Sequence, residues 1–494
     1  MKRCLLIVLL FFSVSAKAQT YFNKLYDYDN VWQGVSSAIA FYDSSYFVVG
    51  WTNDLNDPNN YTKLFLIKLN QHGDTIATKV YAEDSISITP SQESLYYLDD
   101  GTFVFSATVK DYTQNEKSDY ALYKFDENFN LIWSKRYGGL TTNEYCLKMK
   151  QCHDGGFILS GQSAAVDPYA DIFLVRTDSE GNFLWQKNIP IYAWQRPYGL
   201  DITSDSGFVV GFNSGGGIDV DVIVLKTDSL GNVKWQRTVI GGTLDNSSWV
   251  KISTAQNGDI LVATSKATIY ARLYDAYLAR LSPTGTKLWE KTYPYEYTSG
   301  FLTVPNELDD ENIVIGGIKR IYNSTIGTTR IQSTLSKFDK NGDPIWERLY
   351  YKRDDLDQYF YGISKTADDG FLAFGFAWED TQDAWVIKTD YLGCDTTGCT
   401  PPPLSVGQSQ YTNIISVYPN PATNYLKVDL KDILVKDLNI SLLDIFGKKI
   451  KHEIVKQNEK KIELQLTDLS SGMYFLVISG NNTILLNEKI IINK

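Results

Sequence analysis

Three histidines and three methionines are all that 494 residues contain, with only five cysteines. The histidines, His72, His153 and His452, are widely separated. Ser-His-Asp and Cys-His catalysis both need an imidazole at the nucleophile, so this shortage argues against them. None of the three flanks a close cysteine pair at the spacing of a tetrahedral zinc site. The alternating Asp loop of a calcium site is also missing. Gly215-Gly-Gly217 has neither Lys-Ser/Thr nor a helix behind it to cradle a phosphate. No metal and no cofactor is therefore expected. Lys and Arg number 47 against 58 Asp and Glu, a formal net charge of -11. That balance disfavours nucleic acid and anionic membrane as partners, since both reward basic patches. It reads as a solvated acidic surface.

Long apolar runs are missing too, except at the start. Lys2 and Arg3 precede an apolar run over 4–14, and Ala16-Lys17-Ala18 follows. This is the layout of a secretory signal peptide, 1–18, cleaved after Ala18. The run is short for a bilayer span, so the mature protein is expected to carry no transmembrane segment. Four cysteines outlast the signal. Cys394 and Cys399 close a compact loop and are expected to form a disulfide. Cys146 and Cys152 straddle a predicted hairpin, where they too could pair.

Aromatic residues, by contrast, are plentiful at 14%, including 33 Tyr, a bias toward strands. They recur in register. Asp171-Ile-Phe-Leu-Val-Arg176-Thr-Asp178-Ser-Glu-Gly181-Asn-Phe-Leu-Trp185-Gln-Lys187 is echoed by Asp221-Val-Ile-Val-Leu-Lys226-Thr-Asp228-Ser-Leu-Gly231-Asn-Val-Lys-Trp235-Gln-Arg237. Looser copies end in Trp133-Ser-Lys135, Trp289-Glu-Lys291 and Trp346-Glu-Arg348, and one in Ala77-Thr-Lys79 without the Trp. A spacing of about 50 residues, with four short strands per copy, predicts propeller blades. Asp-Gly and similar turns are expected as two-residue hairpin loops. The last copy, Asp383 to Gly393, lacks its Trp-x-Lys strand, and Phe22-Asn-Lys24-Leu-Tyr26 supplies a match. The fold class is therefore all-β: a seven-bladed β-propeller over 19–399, with its last blade closed by the mature N-terminus. The repeat resembles that of quinoprotein-type propellers, which implies architecture only: the Asp-to-Gly interval is one residue shorter and no cofactor cluster accompanies it. Sialidase-type Asp boxes do not match.

Residues 400–412 read as a Pro-rich linker. Then the texture changes. Tyr418-Pro419-Asn420-Pro421, Phe446-Gly447-Lys, Gly472-Met-Tyr474 and a terminal Lys494 punctuate alternating strands that suggest a small Ig-like β-sandwich over 413–494. This set closely resembles the C-terminal sorting domain of the type IX (Por) secretion system of Bacteroidota. The resemblance implies export through the periplasm to the medium or the outer-membrane surface. The implied partners are the type IX translocon and a sortase-like peptidase that removes the domain.

Whatever repeats blade after blade is expected to serve the fold, so function should lie where the repeat breaks. The long connections share one face of the disc and carry Trp51, Tyr61, Tyr112, Tyr169, Trp194, Tyr270 and Trp378. Rings beside Asp and Asn suit a glycan or protein ligand. The acidic runs Asp309-Asp310-Glu311 and Asp354-Asp355 are poor acid/base pairs, because neighbours on an extended chain point apart. A non-catalytic binding protein is the leading expectation. A hydrolase with carboxylates meeting at the channel, and a structural surface component, are the alternatives.

Overall fold

The computed structural model describes residues 20–41, 45–54, 59–114, 116–139, 142–164, 171–190, 195–216, 219–243, 249–267, 274–294, 300–323, 327–378, 381–396, 399, 415–430, 438–443, 449–455, 461–480 and 483–494. The expected signal peptide with Ala18, the linker 400–412, and Tyr169, Trp194, Tyr270 and Gly447 lie outside them. The chain divides into two compact units, Met1–Pro401 and Pro402–Lys494.

The first unit contains seven four-stranded antiparallel sheets. Blades 1 to 6 span 32–81, 86–137, 144–189, 195–243, 251–293 and 306–350, each in simple strand order. Blade 7 takes three strands from 357–389 and its outermost one from Phe22–Tyr26, which pairs antiparallel with Gln382–Thr389. Middle strands such as Asp171–Thr177 are buried throughout, because each blade is covered on both faces. Seven apolar clusters join successive blades, and one of them links Val35 and Val48 of blade 1 to Phe374 and Val386 of blade 7. The ring is thereby complete.

The recurring residues hold this ring. In six blades the basic residue of the third strand pairs with an acid of the first hairpin: Lys124–Asp100, Arg176–Asp154, Lys226–Asp205, Arg280–Asp259, Lys337–Asp310 and Lys388–Asp368, at 2.5 to 3.3 Å. Asp205 shows the balance. Burial pushes its carboxyl up, but hydrogen bonds from Lys226, Thr203 and the Gly207 amide outweigh that and hold it at about 2. Each recurring Trp lies over the turn glycine of the next blade. A Cβ on Gly231 would meet the Trp185 ring at 2.9 Å, and φ there is +76°. Phe22 plays the same part over Gly73.

Two expectations need correcting. The first hairpins are three-residue loops with one positive φ at the third position: Gly155, Ser206, Gly258 and Asp369 in blades 3, 4, 5 and 7. That is a type I turn followed by a left-handed residue, so Ser and Asp serve there as well as Gly. Cys146 and Cys152 are both free. They stand at opposite ends of one strand, Glu144–Gln151, about 20 Å apart at strand rise. A disulfide allows less than about 7 Å between Cα atoms.

In the second unit, a three-stranded and a four-stranded sheet share one apolar core, with Leu426, Val428 and Leu464 from one meeting Leu442, Leu476 and Ile490 from the other. The strand Tyr425–Leu430 alternates exposed and buried, as a sandwich requires.

Candidate functional site

The first strands of the blades surround the axis, and blade 2 sends an excursion into it. Its register breaks between Pro90 and Leu95, and Glu93 takes φ +52° in the excursion. Such a bulge re-aims a side chain. Glu93 accepts from Lys148 of blade 3 at 2.5 Å and from the Val304 amide of blade 6 at 3.0 Å, and Lys251 of blade 5 is 3.6 Å away. Gly362 of blade 7 leaves room for it, since a Cβ there would stand 2.6 Å from Glu93 Cγ. Lys148 also donates to the Gln92 carbonyl at 3.0 Å. Both lysines are buried. Burial raises the Glu93 carboxyl, but the charges of Lys148 and Lys251 more than reverse this and lower it. Burial drives Lys148 down to about 7 against the pull of Glu93. The axis therefore carries one carboxylate between two lysine side chains.

At the face of the long connections, rings run in series from the axis outward. Tyr198 to Trp249 is 5.3 Å, Trp249 to Tyr361 5.9 Å, Tyr361 to Phe376 5.1 Å, Phe376 to Trp378 6.4 Å, and Trp378 to Trp32 5.4 Å between centroids. These six residues come from blades 4, 5, 7 and 1. Trp378 is 47% exposed, so the outer end meets solvent. The inner end reaches the axis, where Lys251 Nζ lies 5.3 Å from the Trp249 ring.

Of the rings expected at a binding face, Trp378 belongs to this ridge. Trp51 is half-buried over Gly34, whose added Cβ would meet its ring at 3.0 Å. Tyr61 and Tyr112 form a separate pair 4.8 Å apart, with Lys110 over Tyr112. Sequence reasoning passed over Trp32, Tyr198, Trp249, Tyr361 and Phe376 because most stand in or just before strands rather than in long connections. An aromatic ring at the entry to a first strand was the available signal. The acidic runs are turn charges with partners: Asp309 to Lys365, Asp310 to Lys337, Glu311 to Lys340 and Asp355 to Arg353.

In the second unit, Asn420, between Pro419 and Pro421, grips the last strand by donating to the Lys489 carbonyl at 2.6 Å and accepting from the Ile491 amide at 3.0 Å. Gly472 opens the strand that pairs with this last one, and the Tyr474 hydroxyl donates to the Ser470 carbonyl at 3.1 Å. The Lys494 ammonium donates to the carbonyls of Thr467, at 2.7 Å, and Leu469. Cys394 and Cys399 are bonded, with Cα atoms 5.7 Å apart. Among the described residues no three His, Cys, Asp or Glu groups gather as a metal site, and no helix is long and apolar enough to cross a membrane.

Residues 416–493 match the family described as secretion system C-terminal sorting domain. The chain is thus a type IX export substrate, delivered to the cell surface or the medium. No curated protein matches it. Among solved structures it is similar to PorZ, a surface component of the type IX secretion system of Porphyromonas gingivalis, at 8% identity over 92% of this chain and 69% of that one, TM-score 0.34. It is also similar to the polysaccharide lyase Uly1, at 11% identity over 72% and 90%, TM-score 0.46. A protein of unknown function from Dyadobacter fermentans gives 13% over 62% and 96%, TM-score 0.41. Likenesses this remote carry no activity over to this chain.

Proposed function

We propose that the propeller is a non-catalytic binding protein for a glycan or another protein, carried to its destination by the sorting domain. The observation that carries this reading is the ridge from Trp249 to Trp378 and Trp32. Contiguous rings with one solvent-exposed end suit the apolar faces of sugars or the side chains of a protein partner, and they ask for no proton transfer. The hydrolase alternative needs two carboxylates flanking a bond, whereas Glu93 sits on the axis between lysines. Removal of the sorting domain by a sortase-like peptidase after export belongs to the same reading.

Glycan arrays and surface cross-linking with the mature chain test the binding, using Trp378→Ala and Trp32→Ala. Loss of the captured ligand in both variants, with unchanged thermal unfolding, supports the ridge. Cleavage of an arrayed glycan, or capture that ignores both substitutions, overturns it. For export, residues 400–494 fused to a reporter should reach the surface of a host with the type IX apparatus. Retention in its periplasm would count against the domain's role.

A further inference from the structure

The opposite face, that of the short first hairpins, holds a cavity of about 420 Å3. It opens beside the axis where the first strands of blades 2 to 5 end, and its walls are mostly polar, with Ile202 and Ala255 among them. Lys150 and Asp201 stand together there at 3.2 Å, so their charges cancel. The Asp201 carboxylate also accepts the Thr254 amide at 2.6 Å. Around this neutral pair lie polar groups of another kind: the side-chain amide of Gln256, which also donates to the Leu308 carbonyl at 3.3 Å, the imidazole of His153, 3.3 Å from Ser206 Oγ, and the hydroxyl of Ser204. His153, Ser204 and Gln256 are exposed.

We propose that this cavity binds a neutral saccharide unit, one or two rings in size. The volume lies within the range of small-molecule sites. Neutral hydroxyls and amides match sugar hydroxyls in both directions of donation. Among the described residues that line the cavity the one lysine, Lys150, is held by Asp201, so an acidic sugar gains no free ammonium there. The site lies on the face of the disc opposite the aromatic ridge and does not depend on it.

Saturation-transfer NMR on the full chain tests this, with glucose, galactose, mannose, maltose and cellobiose as probes and glucuronate as charged comparator. At least one neutral sugar should show transfer, reduced at least tenfold in affinity by Gln256→Ala. The same sugar should still bind Trp378→Ala, which separates this cavity from the ridge. Gln256 is exposed, so its variant should keep the native fold. Transfer to none of the neutral sugars overturns the proposal. So does a preference for glucuronate, or binding that survives Gln256→Ala but is lost in Trp378→Ala.

Discussion

Glu93 Oε2 and Lys148 Nζ meet at 2.5 Å on the axis of the ring, joining blades 2 and 3 where blades 5, 6 and 7 also converge. Removing one partner of a buried pair strands the other charge, at a cost of about 3–5 kcal/mol. Glu93→Gln strands two lysines and should shift the denaturant midpoint downward by that order. The pH dependence follows from Lys148, which burial brings to about 7, whereas an unfolded lysine titrates near 10.4. Between those values the unfolded chain binds more protons, so stability rises with pH. Urea midpoints should climb from pH 7 to 9 in the native chain and flatten in Lys148→Met. A flat native profile would remove the basis for this reading.

Phe129, at φ +63°, fills the turn position that glycines hold in later blades, and the preceding blade has Ala77 where blades 2 to 6 have Trp and blade 7 has Phe22. The pair is an exchange: Trp over Gly elsewhere, Ala beside Phe here. Lys79 Nζ still donates to the Phe129 carbonyl at 2.8 Å, as Lys135 does to that of Glu180. Phe129 is buried against Phe47. Phe129→Gly should cost about 2–4 kcal/mol, the loss of a core ring less the relief of a left-handed backbone. Ala77→Trp alone should overcrowd the site by about 1–3 kcal/mol. Together they restore the pattern, so a double-mutant cycle should return at least about 1 kcal/mol of favourable coupling. Strict additivity would mean that the two positions do not exchange.

The blade number and the N-terminal closure were legible because they rest on repeats: the same Asp, Lys, Gly and Trp at the same offsets, with one copy missing a strand that reappears at Phe22. The axis was not. Glu93 enters it through a single bulge, and Lys148 and Lys251 read as ordinary strand polar residues until topology brings them together across about 55 and 160 residues. The cavity escaped for a related reason. Its walls come from short, regular hairpins, whereas attention to long connections points to the other face. Trp378 was named from the sequence and its ring neighbours were not, since ring-to-ring contact between blades 5 and 7 has no local signature.

Glu144 stands where blades 1 and 7 place Gln33 and Gln358, whose side chains clamp the connection ahead of the first strand. Gln33 bonds to both the amide and the carbonyl of Tyr28, and Gln358 to the Lys352 amide and the Arg353 carbonyl. Glu144 is buried, its Oε2 has no hydrogen-bond partner, and burial, with a smaller push from Asp119, raises its carboxyl above the usual range. A raised folded value means that the protonated form is the stabilising one. Its contribution is complete below the unfolded value near 4.3 and fades as pH rises through the folded value. Glu144→Gln supplies a permanent donor and should stabilise by about 1–2 kcal/mol at pH 8, with little change at pH 4. Calorimetry at the two pH values checks this, and an equal effect at both would refute it.

The closing strand carries the last prediction. Phe22–Tyr26 adds the outer edge of blade 7 in register with Ala384–Lys388, and the Trp385 indole donates to Asn23 Oδ1 at 2.9 Å. Phe22 covers Gly73, and the Tyr26 hydroxyl donates to the Gly73 carbonyl at 2.8 Å, so one short strand ties blade 7 to blade 1. Without it, the apolar cluster between blades 7 and 1, which includes the buried Ala384 and Val386, loses Phe22 and Tyr26. Removing 19–27 from the mature chain should lower the melting temperature by on the order of 10 °C or more, since a ring with an open joint is less cooperative. Phe22→Ala alone should cost about 3–5 kcal/mol. Lys24→Ala should change little, because its partner Asp74 is exposed. Melting that ignores both the deletion and Phe22→Ala, while responding to Lys24→Ala, would place the closing energy outside this strand.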